Sequence, residues 1–193
     1  MLTDRQRSFT ARLKCDGYPI SFNTLKLVGE VIEAPFGHHG TATANALTAH
    51  ASLVPSDYLC LNSKAYPVLL YFRYVSDSYN VYVRQDDCPK YGKCLQLSGG
   101  WVIASDAPTG FRLVKKDAED CPIYLHQHRD ATGSIGILVP GGSSWHSLLR
   151  QDTLKEVDYT HKYAYLCTQG KAAYFSFEDI TWNVPWVSSP DER

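Results

Sequence analysis

The sequence is short of most features that announce a chemistry. Formal net charge is −1 over 193 residues, so no global field recruits nucleic acid or an anionic membrane. No apolar run approaches the roughly 18 residues that a membrane-spanning helix needs. The opening residues, Met1 to Ser8, are polar and lack the apolar stretch of a secretory signal. The expected location is therefore cytoplasmic, or outside the cell by a route without a recognisable signal. Gly-x-Ser-x-Gly, a phosphate-cradling glycine loop with Lys, a dinucleotide fingerprint and His-Glu-x-x-His are all absent. The expectation is a binding module rather than an enzyme, with no cofactor, although scattered residues can also assemble a site.

Cysteine is sparse for a disulfide scaffold. The six thiols, Cys15, Cys60, Cys88, Cys94, Cys121 and Cys167, amount to about 3% of the chain. Reduced, buried thiols are expected, and Cys88 and Cys94, flanking a turn-rich stretch, form the one pair placed to bridge. Helix signals are scarce as well. Thr41–Ala51 is Ala-rich but carries Thr, and Leu148–Val157 has Asp152 as a cap.

What the chain has in quantity is strand signal. Leu69–Val75, Asn80–Arg84, Trp101–Ala104, Phe111–Val114, Ile123–Leu125, Ile135–Val139 and Ala173–Phe177 are short and rich in aromatic and β-branched residues. Thirteen Gly and ten Pro supply turns between them. Many short strands without intervening helices indicate one all-β domain over residues 1–193, a sandwich or a barrel. Period-2 alternation turns Val81 and Val83 inward and leaves Tyr82 and Arg84 on the other face. In the same way Ile123 and Leu125 point in, and Tyr124, His126 and His128 point out.

The strands repeat. Phe72-Arg-Tyr-Val75 followed by Asn80-Val-Tyr-Val-Arg-Gln85 matches Phe111-Arg-Leu-Val114 followed by Pro122-Ile-Tyr-Leu-His-Gln127. Gly99-Gly-Trp101 matches Gly141-Gly142 followed by Trp145, and a third copy begins at Tyr165. Tyr82, Tyr124 and Tyr165 are spaced by about 42 residues. Propeller blades have this length, but a propeller needs roughly four or more of them and this chain has no Trp-Asp dipeptide.

Over about residues 58–182 the repeat resembles the β-trefoil superfamily, with residues 20–66 as the least matched unit. That resemblance implies a single β-trefoil-like closed barrel with an internal threefold pseudo-repeat. It also implies recognition through surface loops, as in lectins, protease inhibitors, cytokine-like factors and actin-bundling proteins. The Gln-x-Trp motif of ricin-type lectins does not occur here.

Several residues are candidates for a site. Trp101 and Trp145 follow Gly-Gly at corresponding repeat positions, where they serve either as sugar-stacking platforms or as plugs of the core. Tyr82 and Tyr124 belong to the same outward set. Asp87 and Asp130 follow the matched strands, where an Asp either orients sugar hydroxyls or begins a turn. His126 and His128 share one face of a strand, and with His146 they form a candidate metal set. His38 and His39 lie in a glycine-containing loop. Trp182 and Trp186, around Pro185, are expected to pack as a final strap. A carbohydrate ligand is the first expectation. A protein-binding inhibitor or toxin-like module, using the Asp86–Lys93 or Arg129–Ser134 loop, is the second, and a His-dependent metalloenzyme the third. Self-association of the chain is compatible with any of these.

Overall fold

The computed structural model describes residues 2–33, 45–115, 123–128, 130–152, 154–156 and 160–186. A one-turn helix, α1 (Asp4–Arg7), opens the chain under a capping box between Thr3 and Gln6. It is followed by β1 (Phe9–Cys15), β2 (Tyr18–Glu33) and β3 (Asn45–Asn62). Next come β4 (Leu69–Val75), β5 (Ser78–Val83), β6 (Cys94–Ser98), β7 (Trp101–Ser105) and β8 (Gly110–Lys115). The strand β9 (Ile123–Tyr124) runs directly into a second helical turn, α2 (Leu125–His128). The remainder is β10 (Ile135–Gly141), β11 (Ser144–Ser147), β12 (Leu149–Arg150), β13 (Lys155–Glu156), β14 (Lys162–Cys167), β15 (Lys171–Ala172) and β16 (Phe175–Trp182). Strand makes up 61% and helix 5%, which establishes the all-β class.

Every strand pairing among the described residues is antiparallel. One series runs β1–β4, β4–β5, β5–β8, β8–β10, β10–β16 and β16–β1. A second joins β3 to β7, β7 to β14 and β14 to β3. The β4–β5 hairpin turns on Ser76 and Asp77, both with positive φ (46° and 64°), as a two-residue turn between right-twisted strands requires.

Alternation places the core. Phe9, Leu13, Leu70, Phe72, Tyr79, Phe111 and Phe175 are fully buried, and Phe9 stacks on Phe72 with ring centroids 4.6 Å apart. The gap left between Leu13, Leu70, Phe72, Val81 and Phe111 amounts to ≈ 10 Å³, about the space of one water. Side chains fill this part of the core.

Several local expectations are corrected. Residues 45–51 of the Ala-rich segment are strand, because β3 pairs with β2 along its length, while 41–44 lie outside the described residues. Leu148–Val157 holds two short strands, β12 and β13, because each pairs with β14. Cys88 and Cys94 are both free; the Cys94 thiol donates to the Ser105 carbonyl at 3.1 Å. The two best repeat copies also pair differently. Tyr82 lies opposite Tyr71, one residue before Phe72, whereas Tyr124 lies opposite Val114, three residues after Phe111.

Candidate functional site

The mutual pairing of β3, β7 and β14 brings one aromatic residue from each strand to a common point. Tyr58 and Trp101 have ring centroids 6.2 Å apart, Tyr58 and Tyr165 5.5 Å, and Trp101 and Tyr165 5.9 Å. All three contacts are edge-to-face, the arrangement that ring quadrupoles favour. Tyr58 is 43% exposed, and Trp101 and Tyr165 are half-buried, so the cluster presents ring surface rather than filling the core.

Polar groups surround this apolar floor. Gln151 is locked to β14, since its backbone N–H donates to the Tyr165 carbonyl at 3.0 Å and its Oε1 accepts the Tyr165 N–H at 3.2 Å. The Lys155 ammonium lies over the rings of Tyr163 and Tyr165, 5.8 and 5.7 Å from their centroids. A recess of ≈ 250 Å³ opens between Tyr58, Trp101, Gln151 and Tyr165. A larger one, ≈ 690 Å³, lies between the Gly99–Trp101 turn, the side chains of Gln151, Asp152 and Lys155, and the 167–170 turn. Its wall depends on glycine. At Gly170 (φ 147°) an added Cβ would lie 2.0 Å from the Arg150 carbonyl oxygen, so no other residue fits without moving backbone. Burial raises the pKa of the Tyr165 phenol, with Tyr163 beside it adding to the effect, so the group is a hydrogen-bond donor at neutral pH.

The other candidates are dispersed. Trp145 sits on the β10–β11 hairpin opposite Pro140, with the Arg112 guanidinium 4.3 Å from its ring centroid. The rings that meet Trp101 are thus Tyr58 and Tyr165, not Trp145. Tyr124 stacks on His126 at 5.5 Å and faces Arg112. Tyr82 does lie on the face opposite Val81 and Val83, as alternation requires, yet it is only 7% exposed. With Tyr71 and Cys94 it forms a second small core, covered by Val184 of the C-terminal strap. That burial places Tyr82 among the packing residues. Of the two tryptophans expected to pack as a strap, Trp182 packs against Phe9, whereas Trp186, near the Arg73 guanidinium, is 49% exposed.

Asp87 lies in a groove of ≈ 660 Å³, where its carboxylate accepts from Gln85 Nε2 at 2.7 Å. Arg12 holds Gln85 from the other side, at 2.9 Å. Asp130 accepts from the Lys115 ammonium and from the Thr132 N–H and hydroxyl, which hold its carboxyl well below the usual carboxylate range. Asp130 begins a turn in this structure.

The histidines do not share a strand face. Residues 125–128 form a helical turn, so the strand alternation that would align positions 126 and 128 is absent. His126 packs between Tyr74 and Tyr124, while the His128 side chain lies outside the described residues, as do His38 and His39. His146 Nε2 is 2.9 Å from the Ser144 hydroxyl. Among the described residues no group of three His, Cys, Asp or Glu side chains is placed to hold a metal ion. No helix of the described residues is long and apolar enough to cross a membrane.

Tyr165 was legible as the third of the spaced tyrosines. Tyr58, Gln151 and Lys155 carry no such signal, because they reach the site only through non-local pairing. No protein-family model matches the chain, and no curated protein or solved structure is similar to it. The class defined so far is an all-β protein with an aromatic recess on its surface.

Proposed function

We propose that this chain is a β-trefoil-like carbohydrate-binding module, non-enzymatic, that holds a sugar on the Tyr58–Trp101–Tyr165 cluster. The trefoil reading is supported by a ladder that leaves β1 through β4, β5, β8 and β10 and returns through β16, the pairing of a six-stranded closed barrel. It is also supported by the three mutually paired strands β3, β7 and β14, one from each third of the chain.

The observation that carries the sugar reading is the convergence of three aromatic rings beside an amide, an ammonium and a carboxylate, in Gln151, Lys155 and Asp152. A sugar has an apolar C–H face and a rim of hydroxyls, so it needs that combination of floor and edge. Lys155 donates and Asp152 accepts, while Gln151 can do both. The test is a glycan array at neutral pH with the wild-type chain and Trp101→Ala. Binding to a defined set of glycans, lost in the variant while its melting temperature is kept, is the expected result. No binding by folded wild-type protein, or binding indifferent to Trp101, sinks the reading.

A further inference from the structure

β2 and β3 are far longer than the other strands, and most of their length is paired only with each other. From Asn23↔Pro55 to Glu33↔Asn45 the register is unbroken over eleven residue pairs. Along this stretch neither strand pairs with any other strand among the described residues. At about 3.3 Å per residue the ribbon is about 36 Å long. Strands in membrane barrels tilt by about 40°, which gives it a height of about 28 Å, against a hydrocarbon core of about 30 Å.

The register also sorts the ribbon's two faces. Directly opposite residues share a face, and successive residues alternate. On one face the positions are Leu25↔Leu53, Leu27↔Ala51, Gly29↔Ala49 and Val31↔Leu47, all apolar. In the register, Asn23, opposite Pro55, stands at one end of this band and Glu33↔Asn45 at the other. The alternate positions, Thr24↔Val54, Lys26↔Ser52, Val28↔His50, Glu30↔Thr48 and Ile32↔Ala46, mix charged, hydroxyl and apolar residues. On this face Leu25 and Ala51 are covered, whereas their pair partners Leu53 and Leu27 are 39% and 49% exposed. The Lys64 ammonium donates to the Ala51 carbonyl and ties the ribbon to the body nearly halfway along its length.

An apolar face bounded by polar ends, a mixed polar face and the length of a bilayer together describe one environment, lipid on one side and water on the other. We propose that the β2–β3 ribbon is a membrane-inserting hairpin. Its strand edges cannot lie bare in hydrocarbon, so one ribbon is insufficient and several copies must pair edge to edge into a closed barrel. On insertion the ribbon would leave the body, so that the face of Leu25, Leu27, Ala51 and Leu53 meets acyl chains and the face carrying Lys26 and His50 lines the aqueous lumen. The activity is permeabilisation of a lipid bilayer.

The test delivers the protein to the membrane without relying on any glycan, so it is independent of the sugar-binding reading. Histidine-tagged protein is tethered to phosphatidylcholine vesicles containing a nickel-chelating lipid and loaded with carboxyfluorescein. Wild type is expected to release the dye. Leu27→Asp and Leu53→Asp, both at exposed positions, are expected to slow release at least tenfold with melting temperatures unchanged. Lys26→Gln and His50→Asp, on the other face, should stay within about twofold of wild type. A variant in which residues 26–52 are replaced by a two-residue turn checks the body; it should fold and release nothing. The proposal is overturned if tethered wild type releases no dye, or if both faces respond alike. It is also overturned if Leu27→Asp only converts a soluble dimer to monomer, since the ribbon would then serve a second copy of this chain.

Discussion

Trp101 and Tyr165 stand edge to face, their ring centroids 5.9 Å apart at an interplanar angle of 84°. The two rings come from strands that pair through a single register position, Cys167↔Trp101. Removing either ring should weaken a sugar bound on the cluster, but to different extents. Trp101→Ala removes most of the platform and is expected to cost at least tenfold in affinity. Tyr165→Phe keeps the ring and removes only the phenol donor, a loss of about 1 kcal/mol, or several-fold. Calorimetry with the best glycan from the array measures both, and equal losses in the two variants would contradict this division.

Tyr82 and Trp145 make a second contrast. Tyr82→Ala opens a cavity beneath the C-terminal strap and should cost about 3 kcal/mol of stability. Trp145→Ala mainly loses the stacking of Arg112 on a half-buried ring, about 1 kcal/mol. Urea unfolding of the two variants should rank them in that order. The contrast also shows where alternation stops being informative. It assigns Tyr82 to the face away from the main core, correctly, but only the distant strap decides that this face is covered.

Asp16 joins the ends of the domain. In the turn between β1 and β2, at a φ of 51°, its carboxylate accepts from Arg150 Nε at 2.5 Å and from the Tyr174 N–H at 3.1 Å. Both partners of the ion pair are largely shielded. Asp16→Ala leaves Arg150 without its counter-charge and puts a Cβ-bearing residue in the left-handed region, a cost of about 3 kcal/mol. Asp16→Asn tolerates that φ and can still accept from Tyr174, so it should cost about 1 kcal/mol less than the alanine. Thermal unfolding of the pair provides the check, and equal losses would mean that the backbone preference is irrelevant.

His126 should make stability depend on pH. Burial lowers its pKa, and nearby Arg7 and Arg112 act in the same direction against Asp77, which raises it. Burial between two tyrosine rings therefore favours the neutral imidazole in the folded chain. Above the unfolded value of about 6.5 the ring is neutral in both states and its full contribution is present. That contribution is lost as pH falls through the depressed folded value. Between pH 7 and pH 4.5, the melting temperature of wild type should fall further than that of His126→Gln. Parallel curves would show that the imidazole is not linked to folding.

The thiols should differ in reactivity. Burial pushes the Cys60 pKa up to about 12, and its thiol donates to the Asn23 carbonyl at 2.9 Å. Cys88 is half-buried, with a smaller upward shift, also from burial. A thiol reagent at pH 8, followed by peptide mapping, should mark Cys88 in the native protein and Cys60 only after unfolding. Equal native labelling of the two would contradict the burial of Cys60.

Much of the fold was legible because strand formation here is dictated locally. Leu69–Val75 coincides with β4, and the strands read at Trp101, Phe111 and Ile135 begin within one residue of those observed. Each combines a period-2 pattern with Gly, Pro or Asp at its ends. β3 was not legible. Ala favours helix by propensity, and the segment is held extended only by its pairing with β2. His126-Gln-His128 failed as a strand for a related reason, since the ladder ends at Tyr124 and the chain closes a helical turn instead.

By itself the sequence determined the class of structure, the inward set of Val81, Val83 and Leu125, and the turns between strands. These follow from side-chain alternation and backbone preference within a few residues. Only the tertiary structure decided which aromatic residues meet. It joined Trp101 to Tyr58 and Tyr165, sent Trp145 to Arg112 and buried Tyr82. Each of these contacts forms between segments far apart in the chain, and no local pattern records which strand edges will pair.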